Sequence, residues 1–318
     1  LVLEAPTVSA DFTYYLTDGL CEETLRFANS TDFGTGAIGF VSGHLVEGSG
    51  QNLYILAAPE GQDVNIATVS GTGYTVIGLG NAYITDYTLD AAVGSLPTIS
   101  ISVEALNIRS DGHVTGTETG FFGISTPAIN RENGTEFAGG FVTLPAASTG
   151  ISSVTALRPG DIVLNFGTAA TSGTKGPIAN IAGGSDGSHV QSISLSIPMS
   201  RSPLERLGSR FPFARTADFP VNASLSISAI VNEVTAANLV DIIDDEVGSD
   251  IEIGFKDTAG TFRARYKLTN AKIDSESFSS SIGSNKTVDM TFSVAIGGPS
   301  DTGNNVFFSG SNTTAPFA

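Results

Sequence analysis

The sequence predicts a mainly β protein built as two tandem β-sandwich domains, each with a flanking helix. Three observations predict it. Long stretches alternate apolar residues with Ser or Thr, the chain echoes its own pattern about 186 positions later, and 41% of the residues are hydrophobic while only 15% are charged. A composition of that kind, rich in Gly, Ser and Thr, belongs to ordered β structure rather than to disorder.

The strands read in order. Pro97-Thr-Ile99-Ser-Ile101-Ser-Val103 has the period of two that turns one face to a core. Ile193, Leu195 and Ile197 alternate with Ser192, Ser194 and Ser196, and Ala223-Ser-Leu225-Ser-Ile227-Ser-Ala229 does the same. Val288, Met290, Phe292 and Val294 alternate with Asp289, Thr291, Ser293 and Ala295. These are expected to be antiparallel, half-solvated strands, because fully buried parallel strands read as unbroken apolar runs. One helix is predicted, with Thr235 as cap, Ala236 to Val247 as body and Gly248 as stop. The first copy offers a weaker counterpart at Asn52 to Ala58, stopped by Pro59.

The echo sets the domains. Phe27-Ala28, Asp32-Phe33 and Ala37 recur as Phe213-Ala214, Asp218-Phe219 and Ala223, and Asn52-Leu53 recurs as Asn238-Leu239, all 186 positions on. Gly61-x-Asp63-Val64-x-Ile66 returns as Gly248-x-Asp250-Ile251-x-Ile253. Ile84-Thr85 and Leu89-Asp90 return as Leu268-Thr269 and Ile273-Asp274, and Val93-Gly94-Ser95-x-x-Thr98-Ile99 as Ile282-Gly283-Ser284-x-x-Thr287-Val288. The expected division is 1–108 for the first copy, 109–189 for a connector with strands at Gly140 to Leu144 and Asp161 to Phe166, 190–297 for the second copy, and 298–318 for a C-terminal arm.

Cys21 is the only cysteine, so neither an intramolecular disulfide nor a cysteine-rich metal site is possible. No apolar run nears the roughly 20 residues that span a bilayer, and Leu1-Val2-Leu3-Glu4 lacks the form of a signal peptide. A start at Leu1 without Met is expected of a trimmed chain or one that begins earlier. The net charge of −17, from 15 basic and 32 acidic residues, opposes binding of nucleic acid through a basic surface. An acidic wall suits a surface past which DNA must slide. Residues 8–108 hold one basic and 11 acidic residues, and residues 190–297 hold 10 and 13, so either the copies meet each other across an interface or their solvated faces have drifted.

No catalytic residue, cofactor or metal is expected. His44, His113 and His189 stand far apart, with His44 expected at a strand end or turn, and no G-x-S-x-G, Walker A or H-E-x-x-H sequence occurs. Gly71-Thr-Gly73-Tyr-Thr-Val-Ile-Gly78 is expected to be a hairpin turn rather than a phosphate loop. The acids Asp241, Asp244, Asp245 and Glu246, and the loop of Asp301, Asn304 and Asn305, lack calcium-loop spacing. Residues 201–217 are the strongest local oddity, because Arg201, Arg206, Arg210 and Arg215 stand among Leu204, Leu207, Phe211 and Phe213. Arginine mixed with aromatics marks protein interfaces, so Arg201, Arg206, Arg210, Phe211, Phe213 and Arg215 are the candidate subunit interface, against a solvent-exposed hairpin tip.

Tyr83 to Asn107, Val190 to Ala229 with its Leu-Gly-Ser-Arg-Phe-Pro element, and Tyr266 to Ile296 together resemble the major tail, or tail tube, proteins of long-tailed bacteriophages. The resemblance implies sandwich domains whose sheets join those of neighbours into a β-barrel ring, with rings of six domains stacked into a tube for the genome. Two domains per chain then imply a homotrimeric, pseudo-hexameric ring in the virion. The implied partners are copies of itself, other tail proteins, and DNA passing through the lumen without specific binding. The alternatives are a capsid decoration or baseplate protein, and a surface adhesin or carbohydrate-binding module, which the absence of Trp disfavours.

Overall fold

The computed structural model describes residues 8–30, 33, 37–46, 50–57, 60, 74–114, 121–124, 140–143, 157, 162–168, 189–205, 207, 212, 214–230, 248–257, 261–279 and 287–311. It is mainly β, as the alternation demands. Seven strands form the main layer, in the order β1 (Val8–Tyr15), β4 (Thr98–Ala105), β3 (Tyr74–Ala92), β9 (His189–Pro198), β12 (Val221–Ile230), β15 (Thr287–Ile296) and β14 (Phe262–Ser279). Every neighbouring pair in it is antiparallel.

The two longest strands leave this layer. The first half of β3 pairs with β2 (Gln51–Ala57) and β5 (Asn107–Val114), and the first half of β14 pairs with β13 (Ser249–Lys256) and β16 (Val306–Gly310), with β8 (Ile162–Thr168) beyond β13. Two hairpins stand apart, β6 (Phe121–Ile124) with β7 (Gly140–Thr143), and β10 (Arg201–Leu204) with β11 (Ala214–Ala217). Among the described residues the helices are single turns, α1 (Leu20–Thr24) and α2 (Ser42–Leu45).

Strand pairing makes the duplication explicit. Ile84 faces Val103 and Asp86 faces Ser102, skipping Thr85, while Ile273 faces Phe292 and Ser275 faces Thr291, skipping Asp274. All four positions move by 189, bulge included. Gln51 and Leu53 face Ala82 and Leu79, and Ser249 and Ile251 face Ala271 and Leu268, so β2 maps to β13 with a second shared bulge. That bulge turns on Asn81 and Asn270, which have φ of 48° and 54°. Asparagine tolerates this left-handed region better than most residues. Their backbone N–H groups donate to Asn52 Oδ1 and Asp250 Oδ1, and a Cβ on Gly50 or Gly248 would collide with the asparagine amide beside it.

This equivalence corrects part of the echo read from sequence. Gly248 matches Gly50 rather than Gly61, and Leu268 matches Leu79 rather than Ile84, while the match of Thr98-Ile99 to Thr287-Val288 stands. Sequence alone misplaces these matches because one- and two-residue identities recur at many slips, and the bulges beside Thr85 and Asp274 and beside Asn81 and Asn270 interrupt the period that would fix the register. The weaker helix expected at Asn52 to Ala58 is strand β2, whose Leu53 packs against the core. Part of the expected C-terminal arm is β16, where Val306, Phe307 and Phe308 are all buried. The expected connector strands coincide with β7 and β8. The helix expected at Ala236 to Val247 lies outside the described residues, as do residues 71–73 of the expected glycine turn.

One core joins the copies. Across the main layer an apolar row runs Tyr14, Ile99, Leu89, Leu195, Leu225, Phe292, Ile273, each strand contributing its inward residue. Burying each such Leu or Ile contributes roughly 1.5–3 kcal/mol. Beneath the row, Phe27 stacks on Phe40 at 4.5 Å between ring centroids, and the Tyr87 ring meets both edge-on at 4.9 Å. Tyr266 of the second copy and Phe308 of β16 close the cluster.

Candidate assembly surface

The opposite face of the main layer is hydroxyl and carboxylate. One row across all seven strands reads Thr13, Ser100, Thr88, Ser196, Ser224, Ser293, Lys272, and the next reads Tyr15, Thr98, Asp90, Ser194, Ser226, Thr291, Ser275. Strand neighbours hold the carboxylates. Ser194 Oγ donates to Asp90 Oδ1 at 2.6 Å, Thr88 Oγ1 to Asp86 Oδ2 at 2.8 Å, and Ser293 Oγ to Asp274 Oδ1 at 2.8 Å. Asp11, Asp289 and Glu104 complete the set, with Lys272 at one rim and Arg215 tied to Glu104. Burial lifts the Asp86 carboxyl above its usual range, opposed by the Thr88 hydroxyl. The face is short-chained and acidic, with little to grip a phosphate.

At the rim, the arginine-rich segment divides. Arg215 Nη1 lies 2.9 Å from Glu104 Oε1, the Arg215 guanidinium is buried, and Arg201 lies over the Tyr83 ring at 4.5 Å. Arg201 also donates to the carbonyls of Arg215, at 2.8 Å, and His44. Burial depresses its basicity, with Tyr83 opposing and Arg215 adding to the effect. These two arginines thus dock the β10–β11 hairpin onto the first copy of their own chain. Arg206, Arg210, Phe211 and Phe213 lie outside the described residues, while Leu204 and Leu207 beside them are exposed.

A buried polar knot sits below the face. Glu22 is 1% exposed; the Tyr14 hydroxyl donates to its Oε1 at 3.0 Å, and Tyr87 reaches the same atom at 3.5 Å. The Tyr87 and Tyr266 hydroxyls share a 2.6 Å bond that joins the two copies. Burial pushes Glu22 up to about 7 and all three tyrosines far above their usual values. His44, expected at a turn or edge, is instead 4% exposed in α2, its ring 4.4 Å from Phe27, and burial holds it down to about 4. Nothing in the sequence marked Glu22, since its partners lie 8 and 65 positions away.

The oxygen-rich loop at Asp301 is a backbone cap. Asp301 accepts from the N–H of Gly297, Gly303 and Asn304 at 2.9–3.1 Å, and these bonds, the one from Gly297 first, hold its carboxyl below the usual range. Among the described residues no three His, Cys, Asp or Glu side chains come together as a metal site, and no helix is long and apolar enough to cross a membrane.

Fold and surface together define a duplicated, sheet-forming β protein with one continuous acidic, hydroxyl-rich face. No family model and no curated protein matches the chain. Among solved structures it is similar to a chain of the baseplate of the anti-feeding prophage, determined by cryo-electron microscopy with 6-fold symmetrisation. The identity is 12%, 54% of this chain and 99% of that chain are covered, and the TM-score is 0.32, a superposition too loose to argue from.

Proposed function

We propose that the chain is a structural virion protein that polymerises into a phage tail tube, the conduit for DNA delivery, with three chains forming a pseudo-hexameric ring. The observation that supports this reading most is the polar face, continuous over both copies on a layer whose outer edges, at β1 and at Lys272–Ser279 of β14, are unpaired among the described residues. Open strand edges endanger a monomer and serve as joining surfaces in a ring. Turned to the lumen, a face of Ser, Thr and Asp with few cations lets DNA pass by repelling its phosphates. In this reading the chain has no catalytic role or cofactor, and its partners are its own copies and other tail proteins.

Negative-stain microscopy and mass photometry of the purified chain test it. Hollow tubes, or closed rings of three chains, are the expected result. Dispersed monomers at micromolar concentration would overturn it, and closed rings that never stack would favour a baseplate or capsid decoration role.

A further inference from the structure

The main layer has an odd number of strands among the described residues. β1, β3, β12 and β14 run one way and β4, β9 and β15 the other, so the two end strands point the same way. Copies joined directly head to tail would therefore meet in a parallel pair at every seam of an otherwise antiparallel sheet.

The duplication identifies what such a seam lacks. Inside the chain, β9 fills the slot between the outer edge of β3 and β12, with Thr88 facing Ser196 and Ser196 facing Ser224. The 189-residue offset carries that edge of β3, bulge included, onto Ser275 to Ser279 of β14. Val8 faces Ala105 as Ala223 faces Val294, so β1 stands where β12 does. Between β14 of one copy and β1 of the next, the counterpart of β9 is missing among the described residues.

Glu276 supplies an independent sign. It occupies the position of Tyr87 and ends the inward row Ala91, Ile193, Ile227, Met290. Both of its carboxyl oxygens are shielded from solvent and have no hydrogen-bond partner among the described residues, a costly state for a carboxylate. A strand laid on this edge would place a residue beside Glu276, as β9 places Ile197 beside Tyr87.

We propose that an extended segment of this chain, from one of the two copies that meet at the seam and outside its seven strands, adds antiparallel to Lys272–Ser279 and completes an eight-stranded repeat. The inference rests on the ring reading. In a ring made of this chain alone the backbone can come only from its own copies, and the seam is continuous with the sheet at both edges. The residue set beside Glu276 is a hydrogen-bond donor, and the strand alternates apolar with small polar residues as β9 does.

Crosslinking of the assembled full chain tests this, in a Cys21→Ser background. Ser277→Cys with Ser9→Cys probes the seam. Thr88→Cys with Ser224→Cys is the in-chain control, since those residues flank Ser196. Strands two places apart lie about 10 Å apart, beyond the roughly 7 Å Cα separation a disulfide allows. The expected result is that both pairs resist mild oxidation and both are joined by a bismaleimide of about 10 Å span, the seam pair between chains. An interchain disulfide from Ser9→Cys to Ser277→Cys, or to Ser275→Cys or Ser279→Cys in its place, would show direct contact and overturn the added strand. Rings seen by microscopy but linked by neither chemistry would also overturn it, whereas absence of rings would overturn the ring reading instead.

Discussion

Glu22→Gln should stabilise the protein at alkaline pH and leave it nearly unchanged at acid pH. The carboxyl titrates near 7 in the fold and near 4.5 as an ordinary side chain. A folded value raised above the unfolded one means that stability is fully present below about 4.5 and is lost as pH rises through 7. The loss at pH 8 is about 3 kcal/mol, which glutamine avoids while still accepting the Tyr14 hydroxyl. In a chain of this size that is about 5 °C in Tm. His44, held down to about 4, acts in the opposite sense, with stability lost as pH falls from 6.5 towards 4. It is common to both proteins, so the difference between them isolates Glu22. Thermal and urea denaturation of the two at pH 4.5 and pH 8 is the assay, and an equal difference at both pH values would refute the role of burial.

Two further outcomes follow from the geometry. Asn81→Ala and Asn270→Ala should each cost about 1 kcal/mol more than the corresponding Gly substitutions, because only the left-handed φ separates them; urea midpoints measure this. Arg215→Ala should cost about 1–2 kcal/mol, discounted because Glu104 is one-third exposed, and should raise hydrogen exchange in β10–β11 before the rest of the sheet. Unchanged exchange there would mean that the hairpin docks without the ion pair.

The fold class, the alternating strands and the fact of duplication were legible because period-two patterning survives in sequence wherever one face is buried. The offset was not, since the bulges break the alternation and short identities recur at many slips, and what pins it is Asn81 and Asn270 with their facing glycines. Those are single residues whose meaning lies in φ. Of the arginines expected at a subunit interface, Arg201 and Arg215 meet Tyr83 and Glu104 of the same chain, a pairing between distant segments that no local pattern encodes. The polar face is not legible in sequence, where its serines are indistinguishable from the spacers of any half-buried strand. Their alignment into rows across seven strands depends on register, which no local pattern encodes.

Divergence between the copies follows the same register. Tyr83, which receives Arg201, has Lys272 in its place in the second copy, and Glu104, which pairs with Arg215, has Ser293. The second copy therefore cannot receive a second β10–β11 hairpin by the same contacts, since a lysine would repel the arginine that the tyrosine holds. The repeat has kept its backbone pairing, bulge for bulge, while changing the side chains that decide what docks against it. In the ring proposed above, that change would make the seam between chains unlike the one within a chain, so the two would select different partners.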